Sequence, residues 1–505
     1  MTRRRFLVVG AALVGPVLAA CGGAASPTAA PAKPPESKPS GPPAAPPAAP
    51  TNTPAPAAAS GPPSAPTKPA AAAEPTKPGA PPAAAPAGPA GQVQLRFMKF
   101  APPGWEADQK YTEEWNKKNP NIQVKIEEVV YGEMDKKVLA SAAADTLGDV
   151  FPGHNRWSPL HWAKGLTLEL DPLIKTNPAD VKMDDFYTGV LDDARGFGGD
   201  GKLFCLPTIM HAGGNIVVAF NVDLLEKAGL KMPTKDWTVQ QYEEIARKSA
   251  DPKNGIFGTH INMSAPLYAA QSIRSWSSNP QKSSEDSWLI SKDGRKQQLD
   301  SPPVKTAYEW YWKMVKDGII PAQTDYSTLA GSGADHFIAG KMVSRAMESS
   351  SPHRAMLTVK DKFKIQYTLW PKGPNGHRGS ALSYNLQNIS AKTKAPEAAF
   401  KYLTYMTGPE IAFEVGYEGI GQPFARRSAW TNPKLWEKYP GIKDVSEFID
   451  QGVDPYRRPW NLRAQEHQNI YIQEIQAYLD GKENWEQMFA HVQKKGQEII
   501  DLPRP

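Results

Sequence analysis

Residues 93–126 read VQLRFMKFAPPGWEADQKYTEEWNKKNPNIQVKI. Val93, Leu95 and Phe97 alternate with polar or opposite-face residues as far as Phe100, the period-two pattern of a strand. Between 105 and 118 the spacing changes. Tyr111 and Trp115 lie four apart on one helical face, and Asn119-Pro120 marks the stop. Ile122, Val124 and Ile126 then alternate again. Strand, helix and strand within about 35 residues make a βαβ unit, which requires a covered and mostly parallel sheet. The fold class is therefore α/β.

The same alternation continues toward the C-terminus. Thr238-x-x-Gln241 is a capping box opening a helix over 238–250, with Tyr242, Ile245 and Ala246 as its apolar stripe. A second helix is expected over 396–407, with Pro396 in its first turn, Phe400, Leu403 and Met406 inward, and Gly408-Pro409 as the stop. Short strands are expected over 215–220 and 364–370. No internal repeat of 20–50 residues is visible.

Toward the N-terminus the composition changes. Residues 22–91 hold 22 Pro and 24 Ala and no aromatic, which leaves nothing to build a core from. The foldable part of the 505-residue chain is thus 92–505. Residues 1–91 carry seven Lys/Arg and two Glu, so +5 of the formal +6 belongs to them. The remainder is nearly neutral and has no electrostatic footprint for nucleic acid.

Residues 1–20 have the layout of a secretory signal: Arg3-Arg4-Arg5, an apolar run from Phe6 to Leu18, then small residues. The run is too short for an ordinary membrane span. Leu18-Ala19-Ala20-Cys21 resembles a bacterial lipobox, and Thr2-Arg3-Arg4-Arg5-Phe6-Leu7 resembles a twin-arginine export signal. Cleavage would leave Cys21 as the lipidated first residue, followed over 21–91 by a disordered Pro/Ala-rich tether of polyproline II character. The other cysteine, Cys205, has no partner for a disulfide and lies in the apolar run Leu203-Phe204-Cys205-Leu206, where a buried inert thiol is expected.

Catalytic and cofactor patterns do not emerge. There is no H-E-x-x-H, G-x-S-x-G, Walker loop or C-x-x-C, and the nine His residues show no metal-ligand spacing. One formal G-x-G-x-x-G occurs over Gly196–Gly201, but an extended segment follows it rather than a helix whose amides could face a phosphate. Gly199-Asp200-Gly201-Lys202 reads instead as a hairpin turn. The acidic pairs Asp184-Asp185 and Asp192-Asp193 read as solvated surface. Neither a metal nor a cofactor is expected.

All 14 Trp lie in 92–505. Trp115, Trp310, Trp312 and Trp485 fit helical stripes, whereas Trp105, Trp157, Trp276, Trp370 and Trp460 fall at element ends or in loops. A loop Trp offers a flat apolar face and one N–H donor. Such faces suit the C–H side of sugar rings, with Asn, Asp, His and Arg bonding the hydroxyls.

The stretch from Asp200-Gly201-Lys202-Leu203-Phe204-Cys205-Leu206-Pro207, through Val218-Ala219-Phe220-Asn221-Val222-Asp223-Leu224-Leu225-Glu226-Lys227-Ala228-Gly229-Leu230, to Pro233 and Asp236-Trp237-Thr238 resembles a family signature. It is similar to the extracellular solute-binding lipoproteins of ABC importers, family 1, the maltose-binding-protein-like group. Gly148-Asp149-Val150-Phe151, Leu168-x-Leu170-Asp171-Pro172-Leu173-Ile174, Phe337-Ile338-Ala339-Gly340-Lys341-Met342, Pro371-Lys372-Gly373-Pro374-Asn375-Gly376 and Pro396-Glu397-Ala398-Ala399 follow in the family's order, with Phe220 where the family carries Tyr.

This resemblance implies a two-lobed periplasmic-binding-protein-like fold of type II, with lobes joined by hinge strands and a ligand cleft between them. Lobe 1 would comprise 92–207 and 381–421, and lobe 2 would comprise 208–380 and 422–505, with crossings near Pro207, Ala381 and Gly421. The implied activity is capture of an extracellular solute, a sugar or oligosaccharide, by lobe closure and its delivery to ABC permease subunits. The protein would be a monomer, anchored by lipid on Cys21 to the outer face of the cytoplasmic membrane, and not an enzyme. Projected onto the family's ligand loops, the binding residues are Trp105, His154, Asn155, Trp157, His211, Trp276, Glu348, Tyr384, Asn385 and Trp460. Arg156, Arg457 and Arg458 leave an anionic ligand open. A structural or adhesive surface lipoprotein and an exported glycan hydrolase are the rival readings.

Overall fold

The computed structural model describes residues 91–101, 106–197, 199–211, 214–263, 266–321, 335–419, 421–452, 454 and 456–505. The signal, Cys21 and the tether as far as residue 90 lie outside them, as does Trp105.

The opening βαβ unit forms as its periodicity predicts. Strands β1 (Val93–Phe100) and β2 (Ile122–Val129) pair in parallel from Val93 opposite Ile122 to Phe100 opposite Val129, with α1 (Glu106–Lys118) between them in sequence. Alternation along β1 sends Leu95 and Phe97 into the main core and Met98 and Phe100 into a smaller one on the other face. With β3 (Val150–His154), β4 (Cys205–His211) and the late strand β9 (Ser383–Ile389), the first sheet has the order β2-β1-β3-β9-β4. β9 runs antiparallel to both its neighbours. A chain segment from far along the sequence thus fills the gap between β3 and β4.

The second sheet has the order β6-β7-β5-β8, built from β5 (Val217–Asn221), β6 (Phe257–His260), β7 (Met342–Met347) and β8 (Ile365–Leu369). β5 is covered on both faces. Val218 and Phe220 enter a core with Trp237, Tyr242 and Trp370, whereas Val217 and Ala219 enter the core that extends to the first sheet. Each large side chain so enclosed contributes about 1.5–3 kcal/mol.

The helices that matter below are α2 (Thr188–Arg195), α3 (Val239–Ser249), α4 (Pro266–Ile273), α5 (Pro302–Lys316), α6 (Ser351–Val359), α7 (Pro396–Met406), α8 (Pro409–Glu418), α9 (Ile442–Asp450), α10 (Ala464–Leu479) and α11 (Trp485–Asp501). The capping box of α3 is formed on both sides, with Gln241 N–H donating to Thr238 Oγ1 at 3.3 Å and Thr238 N–H donating to Gln241 Oε1 at 2.9 Å. Gly199 and Gly201 take φ values of +76° and +78°, conformations that favour glycine. The turn they serve runs from α2 into β4, so it is not the hairpin expected from sequence. Asp192-Asp193-Ala194-Arg195, the last turn of α2, precedes it.

The chain passes from the first sheet to the second between His211 and Val217, a little beyond Pro207, which is still paired with Leu386 inside β4. It returns between Leu369 and Ser383. Past Gly421, Phe424 still bridges Ile209 and Ala425 N–H donates to Thr208 O at 2.8 Å, and the chain reaches β8 only with α9.

Candidate functional site

Strand ends of the two sheets converge on a cleft of about 830 Å³. From the first sheet come His154 after β3, Ile209 and His211 on β4, and Ser383 and Asn385 on β9; Tyr131 follows β2. Glu348 arrives from the end of β7, Tyr268 from α4 and Arg354 from α6, while Lys110 and Tyr111 of α1 and Glu414 of α8 form one wall.

The β3 corner is fixed by close packing. A side chain at Gly153 would collide with Ser158 and Leu386, and the His154 N–H donates to Ser158 Oγ at 3.1 Å. Arg156 N–H donates to His154 Nδ1 at 3.0 Å, which leaves the ring proton on Nε2 to be donated to Ser383 Oγ at 3.1 Å. Burial, and then the charges of Arg156, His211 and Arg458, hold His154 well below the usual histidine range. The imidazole is therefore neutral, and the Ser383 hydroxyl keeps its own proton for another acceptor.

Across the cleft, His211 Nδ1 lies 3.4 Å from Glu348 Oε2, and Tyr268 Oη donates to Glu348 Oε1 at 3.3 Å. Enclosure opposes ionisation of Glu348, but His211, Tyr268 and Arg354 outweigh it and keep the carboxyl below its usual range. Gln422 joins the two sides, its side-chain amide meeting His211 Nδ1 and its Oε1 accepting from Ser350 Oγ at 2.7 Å. Arg156 donates to Gln468 Oε1 of α10 at 2.7 Å, while its Nε is enclosed without a hydrogen-bond partner. Asn385 Oδ1 is likewise buried and unpartnered. The cleft is therefore lined by an ionised carboxylate, a serine hydroxyl, an amide side chain and a guanidinium group, edged by Tyr111, Tyr131 and Tyr268. That set suits a polyhydroxylated solute with apolar ring faces.

Of the residues projected from sequence, His154, His211, Glu348 and Asn385 line this cleft. Trp157 stands behind it, its ring 4.9 Å from that of His154 and 6.0 Å from that of Tyr131. Asn155 and Tyr384 are fully buried and both bond Asp193. Trp276 packs at 5.0 Å on Trp310 in the second core, and Trp460 donates to Ile500 O at 2.8 Å near the C-terminus. Asp193 is not solvated surface: it is buried and ion-paired with Arg458 at 2.8 Å. Arg457 lies over the Trp288 ring at 4.4 Å. Sequence reasoning missed Tyr131, Tyr268, Ser383 and Gln422. Tyr131 follows a strand end, the signal that picked out the other loops; the other three carry no local signal.

A family model described as bacterial extracellular solute-binding protein matches residues 110–444. A curated binding protein of Brucella abortus (strain 2308) is 23% identical over 324 residues, 63% of this chain and 72% of its own. The GacH receptor of Streptomyces glaucescens, solved unliganded and with acarbose or an acarbose homolog, superposes with a TM-score of 0.67 at 18% identity over 82% of this chain and 99% of that one. An ABC substrate-binding protein of Listeria monocytogenes in complex with cycloalternan gives 0.65 at 19% identity, over 81% and 98% of the two chains. A solute-binding protein of Agrobacterium radiobacter K84 in complex with ribitol gives 0.64 at 21% identity, over 81% and 98%. At such identities the likeness is one of fold, and the two-sheet α/β architecture is shared. Among the described residues no helix is long and apolar enough to cross a membrane.

Proposed function

The chain belongs to the bacterial extracellular solute-binding proteins, and on that premise we propose that it captures a sugar or oligosaccharide outside the cell and hands it to an ABC permease. The observation that carries this reading is the junction of His211 from the first sheet with Glu348 from the second, inside a cleft of about 830 Å³. A solute bridging those strand ends would hold both halves together, and hinge closure is the form a permease recognises. Acarbose, cycloalternan and ribitol, the ligands of structurally similar proteins, are all polyhydroxylated.

The role is binding rather than catalysis. Glu348 is kept ionised and both its oxygens are engaged, the state of an acceptor for hydroxyls rather than of a proton donor. His154, His211, Glu348 and Asn385 contact the solute, with Trp157 backing them. Cys21 carries the lipid that holds a monomer at the outer face of the cytoplasmic membrane, and the leader uses the twin-arginine route.

Thermal-shift screening against mono- and oligosaccharides, polyols, amino acids and polyamines tests the proposal. A ligand at 100 times its Kd stabilises by about 2.7 kcal/mol. A sugar or polyol hit that also contracts the protein in solution scattering is the expected result. A hit confined to amino acids or polyamines overturns the ligand class, and binding without contraction overturns closure.

A further inference from the structure

Helices α10 and α11 and the turn between them bring Glu474, Glu483 and His491 together, each offering one donor atom within 4.8 Å of the others. His491 Nδ1 lies 2.6 Å from Glu483 Oε2 and 3.4 Å from Glu474 Oε2. Both carboxylate side chains are only 8% exposed, whereas the imidazole is 47% exposed and gives the cluster an opening to solvent. Glu483 Oε1 is enclosed with no hydrogen-bond partner. The far oxygen of Glu474 is held by Lys495 Nζ at 2.7 Å, one turn beyond His491 on α11.

Two carboxylates removed from water are costly unless positive charge sits among them. Lys495 reaches one oxygen of Glu474. A proton on His491 serves one oxygen of Glu483 and leaves the other unanswered. We infer that this cluster binds a divalent first-row metal ion such as zinc, through His491 Nδ1 and an oxygen each of Glu474 and Glu483, with water completing the shell. One imidazole and two carboxylates suit such an ion, whereas calcium takes six to eight oxygens. Tetrahedral bonds of about 2.0–2.2 Å place neighbouring donors about 3.3 Å apart. The 3.4 Å pair already meets that spacing, and the 2.6 Å pair opens when the ion displaces the shared proton.

The surroundings are organised to hold the site. Asn484 and Gln487 form a capping box, each N–H donating to the other's side-chain oxygen at 2.9 Å, and so fix the turn that carries Glu483. Lys495 orients Glu474 as an outer partner. Positions 474, 483 and 491 follow no short metal pattern, so the sequence reading expected no metal; only the helix pair assembles them. Bound there, the ion ties α10 to α11 outside the solute cleft.

The full chain, stripped by a chelator, is titrated with ZnCl2 and separately with CoCl2. The expected result is one equivalent bound per chain, visible Co(II) d–d absorption and a rise in the unfolding midpoint. His491→Ala and Glu483→Gln each weaken uptake about tenfold or more with unchanged circular dichroism. Since His491 is half-exposed, its removal leaves the helices packed, and that variant decides should Glu483→Gln not fold. Absence of stoichiometric uptake by the native chain overturns the proposal, as does equal uptake by the His491→Ala chain.

Discussion

Arg458 lays its guanidinium along the carboxylate of Asp193, with Nη2 2.8 Å from Oδ1 and Nη1 3.0 Å from Oδ2. Tyr384 Oη and Asn155 Nδ2 donate to the same carboxylate at 3.1 and 3.3 Å, and Arg458 also reaches Asn155 O at 3.0 Å. The C-terminal segment is thereby tied to α2, β9 and the loop after β3 by one buried charge pair. Removing one partner strands the other in a poorly polarisable interior. Asp193→Ala is expected to lose about 3–5 kcal/mol in urea denaturation, with much of it restored by pairing the change with Arg458→Met. A loss below about 1 kcal/mol, the range of exposed pairs, would show the pair to be effectively solvated.

Glu348 and Trp276 separate affinity from stability. Glu348→Gln keeps the shape and removes the charge that accepts from Tyr268. A charge-assisted hydrogen bond contributes about 1.5–3 kcal/mol, so solute affinity measured by calorimetry should fall tenfold or more. Trp276→Ala should leave affinity near its native value and cost about 3–5 kcal/mol of stability, since the ring fills the second core against Trp310. The reverse pattern would return Trp276 to the ligand and remove Glu348 from it.

Asp108 on α1 is buried, and burial, only partly offset by Lys99, raises its carboxyl from 3.8 to about 7. The folded chain therefore holds a proton that the unfolded chain has released. The stability this group contributes is full below about pH 4 and is lost as pH climbs toward about 7. Its slope reaches at most about 1.4 kcal/mol per pH unit. Comparing Asp108→Asn with the native chain across that window should show the slope only in the native protein; parallel curves would mean that Asp108 titrates normally.

Cys205 is enclosed in β4, and burial followed by the charge of Asp193 pushes its thiol well above the ordinary range. An aromatic disulfide reagent should leave it unmodified in the native protein and react once denaturant unfolds the first sheet. Rapid labelling under native conditions would mean that β4 opens readily.

The parts of this molecule that were legible beforehand are those written locally. The alternation of Val93, Leu95 and Phe97, the Thr238–Gln241 box and the Pro396 helix start each depend on neighbours within one or two turns. Asp193 looked like solvated surface because its partner, Arg458, stands 265 positions away. Trp460 and Trp276 looked like ligand platforms because a loop aromatic reads the same whether its face meets a sugar or another ring. His211, Glu348 and Gln422 come from three distant segments; the first two stand at the ends of β4 and β7 and were reachable through strand-end order, whereas Gln422 carries no such signal.

The placement of β9 sets a timetable for the polypeptide. β1 to β4 are complete by His211, yet β3 and β4 have no common neighbour until residues 383–389 have been synthesised. A nascent chain shorter than that carries two open strand edges in its first half, the state most prone to pairing with other chains. Folding therefore waits until most of the polypeptide has left the ribosome. Threading the chain across a membrane from its N-terminus would draw those edges through singly, to be matched on the far side, whereas a route for finished molecules demands that the late strand be seated before departure.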